Sequence, residues 1–123
     1  MRLKDDFFSI KQFCKTATGM DYIIELNPEH VIYQAHFPNN PITPGVCIIQ
    51  IVKELTKEML QCELFLKKVH NVKFLNTINP LENKEVLFSI SISSVEVDAH
   101  KISAIVANGT HQFAKLSMSF VNQ

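Results

Sequence analysis

The chain carries no excess charge of either sign. Its 123 residues hold 12 Lys plus Arg against 12 Asp plus Glu, so no strong field exists to draw nucleic acid or an anionic membrane surface. No apolar stretch reaches the length of a membrane span. The opening residues, MRLKDDFFSIKQF, are charged and lack the apolar core of a secretory signal, and a cytoplasmic location is expected. Cysteine is sparse: Cys14, Cys47 and Cys62 are odd in number and far apart. There is no Cys-x-x-Cys or His-x-x-x-His spacing, which argues against a disulfide framework or a zinc site. The cysteines read as core packing, and neither metal nor cofactor is expected. Without a repeat, linker or low-complexity segment, residues 1–123 read as one domain long enough for a real core.

The chain's positive content is an α+β pattern. Residues from about Leu3 to Thr18 are weakly helical and stop near Gly19. Tyr22 to Leu26 and Val31 to Ala35 read as strands about an Asn27-Pro28 turn. One long helix is predicted from about Pro44 to Cys62. Its first half is apolar on all sides, and a helix of that kind must be enclosed. Its second half turns Leu55 and Met59 inward and Lys53, Lys57 and Glu58 outward. Four strands follow, at about Phe65–Leu75, Glu85–Val97, Lys101–Ala107 and Gln112–Val121. Phe88, Ile90 and Ile92 alternate with serines, then Val95 and Val97 continue on the opposite parity, so a β-bulge is predicted near Ser93-Ser94. Asn108-Gly109 is a hairpin turn. An antiparallel sheet wrapped around the long helix accounts for the whole pattern.

The chemistry concentrates in HFPNNPITPGVCIIQ, residues 36–50. Thr43 is a good N-cap, because its hydroxyl can accept from a free helical N–H. Pro44 suits the first helical position. Gly45 then offers a bare N–H at the positive end of the helix dipole. His36 supplies a titratable imidazole, and Gln50 a polar group inside an apolar helix. Together these suit proton chemistry beside a carbonyl. His30, His70, His100 and His111 have no such context and read as structural. Lys67, Lys68 and Lys73 read as a solvated strand face that could also meet an acidic partner.

These residues resemble the signature of the 3-hydroxyacyl-acyl carrier protein dehydratases, whose fold is the hot dog. The family pattern is similar to H-F-P-G-x-P-I-M-P-G-V-L-x-x-E, and His36, Phe37, Pro38, Pro41, Ile42, Pro44, Gly45 and Val46 match it at the same spacing. Val72-Lys73-Phe74-Leu75 through Pro80 is similar to the family's A-R-F-x-x-P-V-x-P-G-D. The resemblance implies a tunnel at a dimer interface for a thioester of acyl carrier protein or coenzyme A. His36 would take the α-proton. The Gly45 N–H would hold the thioester carbonyl. Phe37, Pro44, Val46 and Ile49 would line the substrate site. The imidazole and the acid would come from opposite subunits of a homodimer or heterodimer, alone or within a higher oligomer.

The departures bear on the reaction. Ala35 and Asn39 replace family glycines. Gln50 stands where the family has its catalytic carboxylate, and Gln has no proton to give. Glu54 stands one turn later, where the family commonly has Gln. The plain reading of Glu54 is a solvated or interface charge; the sharper one is a substitute carboxylate. Gln50 could likewise be only an amide bonded to backbone or water, and Gly45 only a packing glycine. Three function classes follow. The first is a dehydratase, a hydro-lyase of fatty-acid or related lipid synthesis, weakened at Gln50. The second is an impaired hot-dog subunit that pairs with an active paralogue. The third is an acyl thioesterase.

Overall fold

The structure, a computed structural model, describes residues 1–35, 39–95 and 99–122. In chain order its elements are β1 (Phe8–Lys15), β2 (Gly19–Leu26), α1 (Val31–Ala35), α2 (Gly45–Leu60), β3 (Leu64–Phe74), β4 (Glu85–Val95), β5 (Ala99–Ala107) and β6 (Gln112–Asn122). All six strands form one sheet in the order β1-β2-β4-β5-β6-β3, and every pairing is antiparallel. The helix α2 buries Cys47, Ile48, Ile51, Val52 and Leu55, a stripe at three- and four-residue spacing. That stripe packs on the sheet's inner residues, among them Tyr22, Ile24, Phe88, Ile90, Leu116 and Phe120. Each such side chain contributes about 1.5–3 kcal/mol when fully buried.

The alternation in β4 is as the sequence predicts: Val86, Phe88 and Ile90 point to the core. The ladder to β5 slips between Ile92 and Ser94, at the predicted bulge. Gly19 is required by a close approach, because a Cβ there would fall on the carbonyl oxygen of Ile90 in the neighbouring strand. The edge strand β3 carries two register shifts, between Leu66 and Lys68 and between Val69 and Asn71.

Five expectations are corrected. The N-terminal segment is a turn followed by strand β1, not a helix. A bulge between Ile10 and Gln12 breaks the two-residue period, so β1 does not read as a strand in the sequence. Val31–Ala35 is a single helical turn, not a strand. The His30 ring caps it, with Nδ1 accepting from the N–H of Ile32 at 3.0 Å, and Tyr33 anchors it by stacking on Phe7. The N-cap of α2 is Pro44, with no side-chain cap bond, rather than Thr43. The first turn of α2 is not enclosed: Val46 is 65% exposed, since the sheet covers one side only. Of the cysteines, Cys47 is buried but Cys14 lies on the surface.

Tyr33 gives the fold a pH dependence. Burial pushes its phenol well above the ordinary value of 10.0, opposed by its bond to Thr43. A group raised on folding stabilises below its unfolded pKa and loses that contribution as pH rises past it. Stability is therefore expected to begin falling above pH ~10, and Tyr33→Phe should blunt that fall in urea titrations at pH 9 and 11.

Candidate active site

The entry to α2 is fixed from two sides. The Tyr33 hydroxyl and the Thr43 hydroxyl lie 2.7 Å apart in a buried hydrogen bond. The Thr43 N–H donates to the Ile78 carbonyl at 2.9 Å, which ties the same point to the β3–β4 connection. Tyr33 and Thr43 bracket His36 in the sequence. His36, Phe37 and Pro38 themselves lie outside the described residues. Beyond the pin, Pro44 is extended at φ −63°, ψ 144° and its carbonyl accepts from Cys47 and Ile48. Among the described residues, none accepts from the N–H of Gly45 or Val46. These are the free donors that a helix start presents to an anion or a polarised carbonyl. A Cβ on Gly45 would come within 2.7 Å of the Phe74 ring, so this glycine lets an aromatic side chain lie against the helix start. Ile49 is half-buried against the core and Val46 faces outward.

One turn along, Gln50 and Glu54 form a locked pair. The Gln50 amide nitrogen donates to the carbonyl of Met1 at 2.8 Å and to Glu54 Oε2 at 2.8 Å. An amide NH₂ has two protons, and both are engaged. The orientation is not interchangeable, because the flipped amide would set its oxygen against two acceptors. Glu54 is only 8% exposed, so it is not a solvated charge. Its oxygens also accept from the Leu3 N–H at 3.1 and 2.8 Å and from the Lys4 N–H at 2.7 Å. Lys4 reaches on to Glu58 at 2.8 Å. The segment Met1–Lys4 is thus stitched along α2 and walls an open polar groove of about 540 Å³ that Gln50, Lys53 and Lys57 also line.

Other titratable groups have structural company. Burial pushes the Cys47 thiol up, which keeps it protonated and unsuited to nucleophilic attack. His30 meets Asp6, His70 meets Ser119, His100 meets Asn122 and His111 meets Thr110. Lys67, Lys68 and Lys101 surround a second groove of about 440 Å³ beside the His70–Ser119 bond. Among the described residues, no group of three or more His, Cys, Asp or Glu could hold a metal ion, and no helix is long and apolar enough to cross a membrane.

The family model for ApeI-like proteins, described as ApeI dehydratase, matches residues 12–111. The chain belongs to the ApeI-like dehydratase family. A 3-hydroxyacyl-acyl-carrier-protein dehydratase, FabZ, from Wolbachia sp. subsp. Drosophila simulans is 30% identical over 117 residues, covering 89% of this chain and 80% of that protein. The FabZ of Caldanaerobacter subterraneus is 25% identical over 114 residues, covering 87% of this chain and 77% of that protein. Among solved structures, a chain of the dehydratase heterocomplex ApeI:P from Xenorhabdus doucetiae superposes with a TM-score of 0.68 at 16% identity, covering 92% of this chain and 96% of that one. A hypothetical thioesterase from Streptococcus pneumoniae, solved with coenzyme A, reaches 0.67 at 5% identity, covering 94% of this chain and 85% of that one. These likenesses establish the hot-dog fold.

In this ApeI-like chain Gly45, Val46, Ile49, Gln50 and Glu54 lie on α2 with Pro44 at its N-cap, but Val46 faces outward and Ile49 toward the core. Two neighbours of these residues escape sequence reasoning. Phe74 reaches Gly45 from a different element, and only its place in the V-K-F-L stretch could point to it. The Met1 carbonyl, being backbone, has no side-chain signal at all.

Proposed function

We propose that this chain works on 3-hydroxyacyl thioesters, carried by acyl carrier protein or coenzyme A, as one half of a paired hot-dog dehydratase. His36 takes the α-proton. The N–H of Gly45 and the dipole of α2 hold the negative charge that develops on the thioester oxygen. Loss of the β-hydroxyl as water gives the trans-2-enoyl thioester. The observation that carries the pairing is the state of Gln50. Both its amide protons are already donated, so it cannot hand even a hydrogen bond to the departing hydroxyl. The acid must then come from another chain, a hot-dog paralogue that keeps the carboxylate. The surface favours a partner too. Phe65, Leu66 and Val69 on edge strand β3, with Val46 on α2, are exposed apolar side chains, and such an edge calls for cover.

The test is turnover of a 3-hydroxyacyl thioester by the purified chain alone and after mixing with a carboxylate-bearing paralogue. Each is assayed on carrier-protein and coenzyme A substrates, with sedimentation on the same samples. The mixture is expected to sediment as a hetero-oligomer. It should turn over at least about 10²-fold faster than the chain alone, the usual worth of a general acid, and His36→Ala should abolish this chain's contribution. An inert mixture, or activity indifferent to His36→Ala, would defeat the enzymatic reading. A monomer at micromolar concentration in every sample would defeat the pairing.

A further inference from the structure

We infer that Gln50 is a specificity determinant that accepts a hydrogen bond from the substrate's 3-hydroxyl, and that Glu54 is the positioning residue that makes it an acceptor only. The inference rests on the preceding reading of the pair, in which imidazole and acid position come from opposite chains, so the substrate that Gln50 meets is the one held at the partner chain's imidazole. Gln50 has one carbonyl oxygen and two amide protons. The protons go to Glu54 Oε2 and the Met1 carbonyl, and among the described residues nothing donates to the oxygen. A free amide could rotate and serve a donor or an acceptor alike. This one cannot, because rotation would oppose its oxygen to two acceptors at once. Glu54 in turn is held by the N–H groups of Leu3 and Lys4, so it has no freedom to yield.

An acceptor-only contact distinguishes oxidation states at C3. A 3-hydroxyl can donate to Gln50. A 3-oxo group cannot, and would set one carbonyl oxygen against another. A saturated acyl chain makes neither contact. The expected order of affinity is therefore hydroxyl, then saturated, then oxo. Polar sites built to satisfy one hydrogen-bonding partner reject analogues that cannot supply it. The site would admit the reduced 3-hydroxyacyl chain and exclude the unreduced 3-oxoacyl chain, which differs from it by two hydrogens.

The experiment uses pantetheine amides bearing 3-hydroxyacyl, 3-oxoacyl and saturated acyl groups of one chain length. The amide linkage keeps the α-proton too weakly acidic for turnover. They are titrated calorimetrically into the full chain, alone and with its partner. Wild type should bind the hydroxy ligand at least about tenfold more tightly than the oxo ligand. Gln50→Leu should bring the ligands to within about threefold. Glu54→Gln lets residue 54 donate to the Gln50 oxygen and removes one of the two acceptors that forbid the turned amide, so oxo binding should improve relative to hydroxy binding. A change of stability alone would not alter that ratio. Equal hydroxy and oxo affinities in wild type, or an unchanged ratio in both variants, would overturn the inference while leaving the dehydratase reading standing. Binding of none of the three, with or without the partner, would overturn both.

Discussion

Exchanging the two side chains, Gln50→Glu together with Glu54→Gln, is expected to raise dehydration by the chain alone about 10²-fold, the lower end of what a general acid supplies. The double change matters because the single one is frustrated. A carboxylate at position 50 would lie where the amide nitrogen now sits, 2.8 Å from Glu54 Oε2 and 2.8 Å from the Met1 carbonyl. Two carboxylates so placed must share a proton, and a shared proton is not available to a leaving hydroxyl. In the double variant, the amide introduced at position 54 can donate to the carboxylate introduced at position 50, while its oxygen accepts from Leu3 and Lys4. Gln50→Glu alone should therefore gain much less and lower the unfolding midpoint. If the folded double variant is no faster than wild type, the missing proton donor is not what limits the reaction. If instead Glu54→Gln alone abolishes activity, Glu54 is the acid. It would then act from one turn away, about 5.4 Å along the helix.

The largest effect on stability is expected from Glu54→Ala, at about 2–4 kcal/mol. The change strands the buried N–H of Leu3, the N–H of Lys4 and one proton of Gln50, and unsatisfied buried donors cost about 1–3 kcal/mol each before water repairs some of them. Glu54→Gln should cost about 1 kcal/mol, since an amide oxygen still accepts. Urea unfolding at constant m value reads the difference. Hydrogen exchange at Leu3 and Lys4 should accelerate in Glu54→Ala and stay protected in Glu54→Gln. Equal stability of Glu54→Ala and wild type would mean that the N-terminal segment is not held by this carboxylate.

Much of this architecture is legible in the sequence because its signals are local. Phe88, Ile90 and Ile92 against serines fix the face of β4, and the ladder slips where a bulge is predicted, although Val95, whose parity suggested it, is itself exposed and Val97 lies outside the described residues. The Thr-Pro-Gly run marks the start of α2 to within a residue or two. What escapes is whatever depends on distant partners. Lys11 sits at a bulge that only pairing with β2 defines. Val31 and Ile32 are β-branched and favour a strand, but the His30 cap and the anchoring of Tyr33 on Phe7 and Thr43 win. Thr43 is drawn away from capping by that same tyrosine. Glu54 looks like an exposed helix charge until Leu3, 51 residues earlier, is seen to bond it. Its partners are backbone amides, which no pattern of residue types can announce.

The two slips in β3 bear on how its exposed edge behaves in solution. An edge strand with exposed Phe65, Leu66 and Val69 is a template for indiscriminate strand addition. Irregularities beside Lys67 and His70 bend that edge and interrupt its regular run of free backbone groups. A generic extended peptide would find no continuous ladder to join, whereas a strand shaped to the same two kinks would. An isolated copy should accordingly resist indiscriminate edge-to-edge polymerisation, its solubility resting on the irregularity of the strand rather than on a polar sequence.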